Sequence, residues 1–161
     1  MRVLFVLLLA LAAPAAAQQI VFAGGHWAAI DRGATCEAGS RALRIATKGK
    51  VQARAGFAFD VAGPRRGQFF ALLSRVPRSG STIVLTVGDQ PFLLVSNGPW
   101  AWSNGPAQEK AIIAAARAAG GMAIRSRDQA GGRFTDRYML DGAATAIDAA
   151  AARCAGKSAR S

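Results

Sequence analysis

The sequence predicts an α+β domain: an antiparallel β-sheet or sandwich of about six to eight strands, two short helices and one disulfide. Three observations carry this. Residues 51–60 alternate, with Val51, Ala53, Ala55, Phe57 and Phe59 on one side, which is the period of a half-buried strand. Two alanine-rich stretches, one opening at Asn104-Gly105-Pro106 and one at Asp141, carry helix-start residues and a helical apolar phase. Two cysteines, Cys36 and Cys154, stand near opposite ends of the chain.

The N-terminus reads as a cleaved signal peptide over residues 1–17. Arg2 supplies the positive start, Val3 to Ala13 the short apolar core, Pro14 the break, and Ala15-Ala16-Ala17 the small residues before cleavage. Residues 18–155 suit a single β-rich domain, and residues 156–161 read as a basic tail that frays. No later stretch is long and apolar enough to span a membrane. Export places the cysteines in an oxidising compartment, where two cysteines most simply pair; two buried thiols are the alternative.

The strands and helices follow in order. His26 to Ile30 is a short strand with a buried aromatic, Trp27, and Asp31-Arg32-Gly33 turns the chain. His26, the one histidine, has no obvious acid or metal co-ligand beside it in sequence and reads as structural or surface. Residues 38–47 fit either a strand or a short helix. After the alternating strand comes the loop 62–67, then a buried strand over residues 68–74, ended by Pro77 and Gly80. Residues 82–87 and 91–96 form a hairpin around Gly88-Asp89-Gln90. Its continuous apolar arms imply cover on both faces or a central place in the sheet. Trp100 and Trp102 share one side of an extended segment, as a stacking platform or as a cap on the core. Asn104 is a capping residue for the first helix, with Ile112, Ile113 and Ala116 as its buried stripe and Gly120-Gly121 as its end. Residues 122–127 and 133–139 form a last hairpin. Asp141 is an N-cap for the second helix, in which Ile147, Ala151 and Cys154 share a face.

Net charge is +11, with 20 Lys and Arg against 9 Asp and Glu. The excess lies between Arg41 and Arg78: Arg41, Arg44, Lys48, Lys50, Arg54, Arg65, Arg66, Arg75 and Arg78 against Asp60 alone. Such asymmetry favours anionic partners. Interleaved phenylalanines would allow single-stranded nucleic acid, but they alternate as core residues do and export argues against that partner. One histidine gives no Ser-His-Asp or Cys-His site, bridged cysteines are not nucleophiles, and no zinc-ligand cluster, P-loop or dinucleotide fingerprint occurs. No cofactor and no metal is expected. Asp128 and Asp136 are the carboxylates to weigh. They sit among Arg125, Arg127, Arg133 and Arg137, so ion pairs within the hairpin account for them. A pocket lined by both, with raised carboxylate pKa values, would favour an enzyme, whereas a flat arginine-rich face would favour a binder.

The order of elements in the C-terminal half resembles the invasion-associated locus B family of small exported alphaproteobacterial proteins. The resemblance lies in a helix ending Ala118-Ala119-Gly120-Gly121, strands at Met122 to Arg127 and Arg133 to Met139, and Leu140-Asp141-Gly142 leading into a helix Ala143 to Arg153. Val76-Pro77, Gly80 and the strand from Thr82 to Val87 extend it. Further cysteines are common in that family before the first helix, where this chain has Trp100 and Trp102. The resemblance implies a periplasmic or envelope β-rich domain, linked in some members to host interaction, with no catalytic residues to carry over. The expectation is therefore a periplasmic or secreted non-enzymatic module that binds an anionic envelope polymer or another envelope protein. The alternatives are a small exported enzyme or enzyme inhibitor, and a structural envelope protein.

Overall fold

The computed structural model describes residues 18–159, so the expected leader over residues 1–17 lies outside the described residues. Ten strands alternate with turns and two helices. In chain order they are β1 (Gln19–Gly24), β2 (Trp27–Asp31), β3 (Thr35–Arg41), β4 (Arg54–Asp60), β5 (Arg66–Leu72), β6 (Ile83–Val87), β7 (Gln90–Asn97), β8 (Trp100–Trp102), α1 (Pro106–Ala118), β9 (Gly121–Arg127), β10 (Arg133–Met139) and α2 (Ala143–Ser158). All strand pairs are antiparallel, in one sheet of order β1-β2-β3-β4-β5-β8-β7-β6-β9-β10.

The sheet curls until its two ends meet. The Leu43 amide donates to the Arg137 carbonyl at 2.8 Å and the His26 amide to the Asp141 carbonyl at 3.1 Å. The Trp27 indole Nε1 donates to the Met139 carbonyl at 2.8 Å. Glycine permits the closest approach. A Cβ on Gly142, which sits at φ 87°, would lie 2.1 Å from the Gly24 carbonyl oxygen, and one on Gly25 would lie 2.4 Å from that of Asp141.

The inner face of the curl is the core. Phe57 and Phe69 pack edge to face at 5.5 Å, and Trp27 stacks on Phe57 at 6.0 Å. Both helices lie against this core. α1 buries Ile112, Ala115 and Ala116, while α2 buries Ala143, Ala146, Ile147, Ala150 and Cys154. Alanine at most of these positions lets α2 sit close over the strands. Cys154 forms a disulfide with Cys36 of β3, with Cα atoms 5.8 Å apart across 118 residues of sequence. The predicted α+β class and the bridge are thus both present, in a sheet larger than expected. The extra strands are β1 and the three-residue β8, and the stretch 38–47, which fits either a strand or a short helix, is strand only through Arg41, as the end of β3. Among the described residues, no helix is long and apolar enough to cross a membrane.

Several local expectations change. Neither helix has a side-chain N-cap: Gly105 and Gly142 hold the cap positions. The Asn104 amide instead donates to the Gln108 side chain at 2.7 Å, and Asp141 is drawn away to His26, its Oδ1 2.6 Å from the ring Nδ1. α1 ends on extended Ala119 and not on a left-handed glycine. The β6–β7 hairpin is central in strand order, but its outer face is uncovered, with Leu93 62 % exposed. α2 runs on through residues 156–158, where a frayed tail is expected, because Lys157 donates to Asp31 Oδ1 and the Gly33 carbonyl.

Candidate functional site

The nine basic residues divide by strand geometry. Arg41 ends β3 and Arg54, its register partner, begins β4. Arg44, Lys48 and Lys50 lie on the β3–β4 connection, and Arg75 and Arg78 on the β5–β6 connection. Antiparallel order brings these seven to one end of the sheet. Arg65 and Arg66 fall at the far end of β4, about 20 Å away by strand rise. Arg65 is also neutralised there: Nη2 lies 2.7 Å from Asp60 Oδ1, and this partner holds the Asp60 carboxyl below its usual range. Arg65 and Arg66 therefore do not join the others.

Acids are spent elsewhere. Asp31 binds Arg153 and Lys157, Glu37 binds Arg32, Asp148 binds Arg117, and Asp141 binds His26. At the basic end, Asp128 holds Arg75 at 2.6 Å, and Glu37 lies 4.0 Å from Arg54. Among the described residues, Arg41, Arg44, Lys48, Lys50 and Arg78 have no carboxylate within ion-pair distance. The last hairpin adds to them. The Arg78 amide donates to the Arg127 carbonyl at 2.9 Å, and Arg127 stands directly opposite Arg133. From sequence, Asp128 and Asp136 are expected to pair with the hairpin's own arginines. Instead Asp128 reaches Arg75 on another connection, and buried Asp136 accepts from the Ser74 amide at 2.9 Å. The hairpin arginines are left free of acids, a feature no local sequence signal shows.

The face is not flat. One cleft of about 540 Å³ lies between the two connections and the β9–β10 turn, lined by Arg44, Lys50, Arg75, Asp128 and Asp136 among others. Both carboxylates thus share a cleft, as an enzyme reading requires, but the chemistry runs the other way. Hydrogen bonding from Arg75 holds the Asp128 carboxyl below its usual range, so it stays an anion tied to a cation and is a poor general acid. Tyr138, on the same strand as Asp136, is pushed up by burial and then by that carboxylate, and its hydroxyl has no partner among the described residues. It is sealed in the core. A second cleft of about 680 Å³ follows the outer face of β2 to β5, lined by Ile30, Gly39, Arg41, Arg54 and Phe70 among others.

Trp100 and Trp102 stand half-buried on the outer face, while Ala101 between them fills the core. Trp100 lies 6.5 Å from Phe70, and the Arg54 guanidinium sits 5.3 Å from the Trp100 ring centre. One face of the predicted platform is therefore already covered by a cation. No group of three or more metal-ligating side chains occurs among the described residues. No protein-family model, curated protein or solved structure matches this chain.

Proposed function

We propose that this protein is an exported, periplasmic or secreted binding module without catalytic machinery, similar to the invasion-associated locus B proteins, whose basic end engages an anionic envelope partner, polymer or protein. One observation carries the reading. Six of the nine acids are held in ion pairs, only Glu37 and Asp128 with cations of the basic end, and this leaves Arg41 at the end of β3, and Arg44, Lys48, Lys50 and Arg78 on the two connections, with no carboxylate within ion-pair distance among the described residues. Two like-charge pairs stand directly opposite across strands, Arg41 with Arg54 and Arg127 with Arg133. Such pairs are unfavourable in a sheet; Arg54 is partly relieved by Glu37 and by the Trp100 ring, and an anionic partner would relieve the others. The disulfide fits an oxidising compartment.

Titration of the protein with heparin and with poly-glutamate, over a range of salt, tests this. Binding should weaken steeply as salt rises, because exposed charges are screened over about 10 Å at ordinary ionic strength. The double substitution Arg44→Glu with Lys48→Glu should weaken it at least about tenfold without lowering the melting temperature, since neither side chain makes an ion pair. Absent or salt-insensitive binding to both polymers overturns the reading.

A further inference from the structure

The basic end also exposes apolar side chains. Ile45 is 76 % exposed, Val51 52 %, Leu43 46 % and Val76 37 %. Isolated exposed aliphatics are ordinary, but these are gathered. Ile45, Val51 and Val76 line the same cleft as Arg44, Lys50 and Arg75. Leu43 and Ile45 also line the second cleft with Arg41 and Arg54. Ile45 is thus the ridge between two grooves, with cations on both sides.

The connection that carries Ile45 is built, not loose. The Gln52 side chain lies along it: Oε1 accepts from the Ala46 amide at 2.9 Å, and Nε2 donates to the Ala42 and Arg44 carbonyls at 3.2 and 3.3 Å. Leu43 is fixed to β10 through the Arg137 carbonyl, and a Thr47–Lys50 turn closes the tip at 2.9 Å. Exposure of the aliphatics is therefore held by the fold.

A dissolved polyanion would satisfy the cations and leave the aliphatics in water. A bilayer interface satisfies both, with anionic headgroups for the basic side chains and the acyl boundary for the apolar ones. We infer that the same basic end also takes a phospholipid surface: residues 43–51 and 75–78 face a bilayer that contains anionic lipid, the Ile45 ridge enters the acyl boundary, and Arg44, Lys48, Lys50 and Arg78 meet the phosphates. This rests on the basic-end reading above.

Flotation with vesicles of phosphatidylcholine, alone or mixed with phosphatidylglycerol, tests it beside heparin titration of the same samples. Wild type should float with the mixed vesicles and not with phosphatidylcholine alone. Ile45→Ser should weaken vesicle binding about tenfold, from the lost apolar transfer, and leave heparin binding unchanged. Arg44→Glu with Lys48→Glu should weaken both. Heparin binding without vesicle binding, or an Ile45→Ser protein that floats like wild type or loses heparin equally, overturns the lipid inference and leaves the basic-end reading standing. Wild type that binds neither vesicles nor either of the two polymers overturns both.

Discussion

Asp31 ends β2 beneath the last turns of α2. Its carboxylate accepts from Arg153 Nε at 2.7 Å, Lys157 Nζ at 2.5 Å and the Gly33 amide at 2.8 Å. Burial by itself would raise its pKa, but these donors outweigh burial and bring it down from 3.8 to about 2. A carboxyl lowered in the folded state stabilises the fold above its unfolded pKa, and that contribution is lost as pH falls through the folded one. The window here is about pH 4 down to about pH 2, and the contribution near neutrality is about 2 kcal/mol. Asp31→Asn should therefore lower stability by about that amount near pH 7, with the gap to wild type closing by about pH 2, as urea unfolding at the two pH values would show. An equal gap at both would refute it. The chain itself signals Asp31 as a turn residue and nothing more, because its partners lie 122 and 126 residues away. Separations of 115 and 53 residues likewise hide the His26–Asp141 and Arg75–Asp128 pairs. A composition count finds the charges but cannot assign partners across such separations.

Element identities were more legible than element ends. Apolar alternation over residues 51–60 finds β4, although the strand begins only at Arg54, Val51 is exposed before it, and Gly56 and Ala58 on the expected outer side are buried too; helical phase finds the buried face of α2, because it reflects which side chains must leave water. Caps fail for a different reason. Asp141 is a sound N-cap by type, but the close approach of the β1–β2 turn takes its carboxylate and leaves Gly142 to open the helix. That approach can be tested. Gly142→Ala meets both a positive φ and the Gly24 carbonyl, and should cost at least about 2 kcal/mol in thermal unfolding. Gly49 has a similar φ of 79° with nothing within 4 Å, so Gly49→Ala should cost only about 1 kcal/mol from backbone strain. Equal losses would mean that the turn can move aside. The β6–β7 arms show the limit of pattern reading: a continuous apolar run did not mean cover on both faces, since Leu93 and Val95 stay exposed.

At the scale of the whole molecule, the strand order was not legible. β8 continues from β7 through a tight turn but also pairs with β5, past the intervening β6–β7 hairpin, and nothing local records the β5–β8 pairing. The disulfide was legible, because two cysteines allow only one pairing within the chain and export favours the bridge over two buried thiols. Replacing Cys36 and Cys154 together with Ala should cost roughly 4–5 kcal/mol by loop entropy, measured as the fall in unfolding free energy; a loss below about 1 kcal/mol would mean that the unfolded chain gains little freedom. The chain's two cysteines leave no scrambled isomer within one molecule, and the folded chain brings them together by laying α2 on β3. When oxidation follows packing, the rate at which free thiols disappear is a clock for the arrival of α2 on β3.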